Sequence, residues 1–174
     1  NPYKGIVCDR HTPEHTGYEE ELYKDIEEQF FKPLDGLSCG ILLDLEREHA
    51  NTVKLFSKEY KLNEKHEVWA KFILGLIVRM PDKVGFIKEY CGNAGMTEED
   101  ALKRIPEIIS NPNTINDLRK LKWISSDIQS NVPLLTCDNP LIFKPNNLRS
   151  PSCVIILPLG PHHFFLATSE GNLP

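Results

Sequence analysis

At 174 residues, with 40% hydrophobic and 26% charged side chains, the chain falls in the globular range and is long enough to bury a core without disulfides or a structural metal. Its net charge of −5 weighs against a general electrostatic grip on DNA, RNA or an anionic membrane. The most apolar stretch, residues 69–80, is interrupted by Lys71 and Arg79 and is too short and too charged to cross a bilayer.

No secretory leader pattern opens the chain. The cysteines, at positions 8, 39, 91, 137 and 153, are odd in number and never form a C-x-x-C pair. Reduced thiols and a cytoplasmic protein are therefore expected. A first residue that is not methionine leads us to expect a piece of a longer polypeptide, built as one domain.

Residues 1–18 show little periodicity. From Glu19, Leu22, Ile26, Phe30 and Leu34 recur every four residues and predict a helix that opens with Glu19, Glu20 and Glu21 and is limited by Pro33. Gly36, Ser38 and Gly40 read as a connecting loop. A second helix is predicted through Leu42, Leu45, His49, Val53, Phe56 and Tyr60, and a third, capped by Asn63, through Trp69, Phe72, Ile73, Leu76 and Met80. Pro81 ends it or opens a short stripe of Val84, Ile87 and Cys91 that stops at Gly92. Thr97 to Asp100 reads as a capping box before Leu102, Ile105, Ile108 and Ile109, with a break at Pro106. Thr114 to Asp117 repeats that start signal.

The period then changes. Short β-prone runs at 122–128, 133–137, 153–159 and 164–168 are separated by turn formers. The expected fold class is α+β: a helical N-terminal two thirds packed on a C-terminal antiparallel sheet of about four strands, read as a meander. The longest connection, 145–152, is polar and expected to be mobile.

Phosphate-loop, dinucleotide, nucleophile-elbow and zinc-protease signatures are absent from the sequence. Thr136-Cys137-Asp138-Asn139-Pro140 is the densest polar cluster. Asx residues before proline set a turn by bonding their own backbone, which accounts for the cluster structurally. In the functional reading, Asp138 and Asn139 reach the rim of a cleft, and Cys137 is a core thiol. His162 and His163 adjoin on a strand and must face opposite ways, so they cannot share a metal. One is expected to face inward onto a buried acceptor and the other to be solvated. His49 reads as a core or boundary histidine, and Pro13 argues against a metal pair at His11 and His15. Arg79, at the edge of an apolar face, reads as one half of an ion pair, with Asp138 an attractive partner. Arg119, Lys120 and Lys122 form a solvated basic run, and Trp123 is expected to anchor sheet to helices. No metal site is predicted, and no cofactor is implied.

The Trp123 strand, Leu135-Thr136-Cys137-Asp138-Asn139-Pro140-Leu141 and Ile155-Ile156-Leu157-Pro158-Leu159-Gly160-Pro161 together resemble the domain-of-unknown-function family 4238. That family's pattern is a Trp-led strand, a Thr-Ser-Asp-Asn-Pro motif and a Phe-Pro-Leu-Ser-Pro motif. The likeness spans roughly Glu19 to Thr168 and includes the acidic helix and Arg79-Met80-Pro81. Cys137 and Gly160 each replace a serine, and the first departure counts against a serine-dependent mechanism at that position. The resemblance implies an architecture and no activity.

Two functions follow as expectations. The first is a small-molecule or protein-binding, regulatory module around Asp138, Asn139, Arg79, His162 and His163, with the 145–152 loop bordering the pocket. The alternative is a hydrolase or nuclease-like enzyme of a bacterial defence or stress system.

Overall fold

The structure is a computed structural model that describes residues 22–47, 64–128, 132–134, 140–145 and 147–169. It is an α+β fold. Helices α1 (Leu22–Ile26), α2 (Lys32–Arg47), α3 (Glu64–Val78), α4 (Pro81–Asn93), α5 (Glu98–Lys103), α6 (Ile105–Ile109) and α7 (Pro112–Lys120) precede strands β1 (Lys122–Asp127), β2 (Ile142–Lys144), β3 (Val154–Pro158) and β4 (His163–Thr168). The four strands form one antiparallel sheet in the order β1-β4-β3-β2.

The first helical rod departs from the predicted break at Pro33. A π-helical turn, Glu27–Phe31, joins α1 to α2 without a break, and Pro33, the second residue of α2, follows directly on it, where the regular i→i−4 bonding is already interrupted. The buried positions are Ile26, Phe31 and Leu34, so the wider turn brings Phe31 rather than Phe30 onto the stripe. The residues predicted as a loop are helical. Gly36 and Gly40 are exposed, while Ser38 is buried and its hydroxyl donates to Leu34 O at 2.8 Å. The stripe Leu34, Ser38, Ile41, Leu45 at intervals of three and four outweighs two surface glycines. The predicted continuation through His49 to Tyr60, and the Asn63 cap, lie outside the described residues.

α3 is the central element, with His66, Trp69, Ala70, Ile73, Leu74, Ile77 and Val78 all buried. Trp69 packs edge-on to Phe165 of β4 (5.6 Å), and His66 stacks on Trp123 of β1 (3.8 Å). On its other side α3 meets α2, and α6 and α7 also contact it. The core is therefore the space around one helix, bounded by the sheet and by α2.

The smaller helices start where local chemistry dictates. Thr97 and Asp100 form the expected reciprocal capping box, and the Thr97 contacts hold the Asp100 carboxyl below its ordinary range. Pro106 opens α6 after a break at Arg104. α7 begins earlier than predicted: Asn111 caps it by accepting from the N–H groups of Asn113 (2.9 Å) and Thr114 (3.3 Å), with Pro112 as first residue.

The sheet is a β2-β3-β4 meander with β1 added beside β4. Its second strand falls at Ile142–Lys144 rather than at 133–137; Pro133 and Leu134 are not in a strand, and 135–139 lie outside the described residues. Leu141 and Phe143 are buried while Ile142 is exposed, which is the alternation of a strand with one face on the core. Across the outer face the register aligns Ile124, Leu166, Ile156 and Ile142. No helix among the described residues is long and apolar enough to cross a membrane.

Phe165 is fully buried between Trp69 and Trp123, so Phe165→Ala is expected to cost about 3–5 kcal/mol in denaturant unfolding. Asn111→Ala should cost only about 1 kcal/mol by the same measurement, the value of one helix cap.

Candidate functional site

Strand alternation places Trp123, Ser125 and Asp127 of β1 on the same face as His163, Phe165 and Ala167 of β4. The Ile128 N–H donates to His162 O at 2.7 Å. By alternation, Asp127 and His163 are a pair whose backbones exchange no hydrogen bond and whose side chains stand close. Asp127 Oδ1 is 2.7 Å from His163 Nδ1, and Ser125 Oγ is 2.6 Å from His163 Nε2. A carboxylate can only accept, so in the neutral ring the proton sits on Nδ1 and Nε2 accepts from the Ser125 hydroxyl. The imidazole is buried, with 8% of its side chain exposed, whereas Asp127 is 52% exposed. Ser125 is half-buried.

His162 is exposed and His163 buried, the opposed pair that a strand requires. Arg79 is committed elsewhere. Its Nη1 and Nη2 donate to Asp35 Oδ2 (3.1 Å) and Oδ1 (2.9 Å), its Nε to Gly75 O (3.2 Å), and its guanidinium lies 4.4 Å over the Phe31 ring. The ion pair expected of Arg79 is thus made with Asp35, and it fastens α2 to α3. Asp138 and Asn139 lie outside the described residues, as do Cys137 and His49. Of the predicted site residues that are described, His163 joins a polar network, Arg79 serves the junction of two helices, and His162 faces solvent.

A second feature lies at the opposite end of the sheet, where Lys122, Thr168, Val154 and Lys144 align. In the 145–152 loop, expected to be mobile, residues 147, 149, 150 and 151 make hydrogen bonds. Arg149 N–H donates to the Asn147 side chain (3.0 Å), Ser150 N–H to Asn147 O (3.1 Å), and Cys153 N–H to Ser150 O (3.0 Å). The Ser169 hydroxyl donates to Pro151 O. Across the gap to α7, Arg149 Nε donates to Asp117 Oδ2 (2.6 Å) and Lys120 Nζ to Oδ1 (3.0 Å). Hydrogen bonds from Arg149 and then Lys120 hold the Asp117 carboxyl below the usual carboxylate range.

Arg149 and Asp117 stand between two depressions. One, about 560 Å³, has the polar side chains Asn113, Asn116, Lys120 and Ser150 on its wall. The other, about 630 Å³, is walled by Leu74, Ile77, Val78, Phe143 and Leu148, with Lys83 and the exposed Phe86 at its rim. Among the described residues no three His, Cys, Asp or Glu side chains converge as a metal-ligand set would.

Comparisons with protein-family models, with curated proteins and with solved structures return no match for this chain.

Ser125, Asp127, Asp117 and Arg149 escape a reading of the sequence. The available signal is that Ser125 and Asp127 continue the buried face begun by Trp123, and polar residues on such a face need partners. Their partner His163 lies 36 and 38 positions away, and register across that separation is not written in either strand.

The depressed Asp117 carboxyl gives a signed expectation. Its contribution to stability is present above the ordinary aspartate value of 3.8 and is lost as pH falls through the lower folded value. Wild type should be more thermostable than Asp117→Asn at neutral pH, and the two melting curves should converge on acidification below that range.

Proposed function

We propose that this domain is a binding module for a small molecule with an apolar body and one acidic group, seated in the groove between α3, α7 and the 145–152 loop. The observation that carries this reading is an apolar depression of about 630 Å³ with Arg149 among the residues that line it. That volume is in the range of small-molecule sites, which combine apolar walls with a few polar groups.

The electrostatics support an acidic ligand. Asp117 is one carboxylate held by two cations, Arg149 and Lys120. Arg149 can turn to a ligand anion while Lys120 keeps Asp117 neutralised. Arg149 is 74% exposed, and an exposed ion pair is worth only about 0.2–1 kcal/mol. Releasing Asp117 therefore costs little, and a ligand anion that draws the guanidinium against the apolar wall replaces that pair with one of the same kind.

Three further assignments belong to the same reading. The Trp123 strand and the two proline motifs support a kinship with the domain-of-unknown-function family 4238. Free Cys39, Cys91 and Cys153 suit a reducing, cytoplasmic setting. A small-molecule ligand suits the acidic net charge better than nucleic acid does.

The test is a fluorescence titration with 8-anilinonaphthalene-1-sulfonate, which joins apolar rings to a sulfonate. Arg149→Ala should weaken binding about tenfold or more. Asp117→Asn, which frees Arg149, should strengthen it. Near-UV circular dichroism checks that each variant keeps native packing. Equal affinity in all three proteins would overturn the assignment.

A further inference from the structure

We infer that the Ser125–His163–Asp127 chain is a second, independent functional site: a nucleophilic hydroxyl equipped to cleave small carboxylic esters. Its elements are those of acyl transfer, one on each ring nitrogen. The nucleophile candidate is on Nε2 at 2.6 Å and the carboxylate on Nδ1 at 2.7 Å. With one partner on each nitrogen, the neutral imidazole points its proton at Asp127 and its lone pair at the Ser125 hydroxyl.

The surroundings supply what such a chain requires. His163 is buried, so its tautomer and ring plane are held by protein rather than by water. Asp127 is a positioning residue: it fixes the Nδ1 proton and would stabilise the imidazolium that forms. β1 is an edge strand of the described sheet. Because the Ile128 N–H points to β4, alternation sends the Ser125 N–H outward, away from β4. Among the described residues no strand pairs with that edge, so this backbone donor faces the side from which a carbonyl oxygen would approach Ser125.

The step balances with water as the only co-reactant. Ser125 Oγ bonds to the acyl carbon while its proton passes to His163 Nε2. The carbon–oxygen bond to the alcohol then breaks as the alcohol takes that proton. Water, deprotonated by the same nitrogen, attacks the acyl-serine; the carboxylic acid leaves and the Ser125 hydroxyl is restored. The groove residues take no part, and the two sites lie at opposite ends of the sheet.

The experiment treats the full chain with a fluorophosphonate probe, maps the modified residue by mass spectrometry, and follows p-nitrophenyl acetate hydrolysis in parallel. Wild type should be labelled at Ser125 and should turn over the ester. Ser125→Ala, a near-isosteric change, should lose both. Asp127→Asn should slow labelling about a hundredfold and Asp127→Glu should restore much of the rate, a rescue that a purely structural role would not produce in variants that melt alike. Circular dichroism and thermal melts of each variant separate loss of chemistry from loss of fold. Failure of wild type to label at Ser125 overturns the inference, as does labelling at another hydroxyl or equal esterase rates in wild type and Ser125→Ala. None of these outcomes bears on dye binding in the groove.

Discussion

Trp123 is the residue on which the arrangement depends. Its indole N–H donates to Leu118 O at the end of α7, at 3.0 Å. One ring face stacks on His66 of α3, and its ring meets Phe165 of β4 edge-on. A single side chain thus fixes the exit of the last helix, the axis of the central helix and the pairing of the edge strand. An aromatic ring does this well because it brings a large apolar area together with one directional donor. The consequences run both ways along β1. Toward its start, the preceding helix holds Asp117 against Arg149 of the 145–152 loop. Toward its end, Ser125 and Asp127 are held beside His163.

The sheet is accordingly a spacer as well as a wall. Its middle rows, Phe165, Ile155 and Ala167, are fully buried and apolar, whereas polar groups gather where the helical layer stops covering it. Polar side chains on a core-facing surface are tolerated only when their hydrogen bonds are made within the protein. Ser125, His163 and Asp127 meet that condition among themselves. At the other end, Thr168 is buried and donates to Cys153 O at 3.1 Å. The adjoining Cys153 thiol is also buried, which pushes its ionisation upward.

Local signals in the sequence were sufficient wherever the deciding chemistry is local. The capping box at Thr97, the break at Pro106 and the runs that become β1, β3 and β4 all follow from neighbours within a few positions. The α+β class follows from the change of period alone. What could not be read depends on pairings between distant residues. Arg79 finds Asp35, 44 positions earlier, where sequence reasoning pointed to Asp138. β1 pairs with β4 across the intervening meander, and that pairing alone brings Ser125 and Asp127 to His163. The reading of Pro33 failed for a different reason. Proline is costly inside a regular helix because it removes an i→i−4 bond, but the preceding π-turn has already interrupted that bonding. The glycines misread as a loop were outweighed by a burial stripe that extends well beyond them.

The π-turn between α1 and α2 also makes the N-terminal rod sensitive to length more than to composition. Each residue of a regular helix turns the next by about 100°. Ile26 and Phe31, five apart, would therefore face different directions in a regular helix; the wider turn restores their alignment. Deleting one of Glu27, Glu28 or Gln29 would bring Ile26 and Phe31 to a spacing of four, which a regular helix aligns, so the π-turn marks one residue more than the rod needs. A deletion elsewhere in the rod has no such slack and turns everything before it by about 100°.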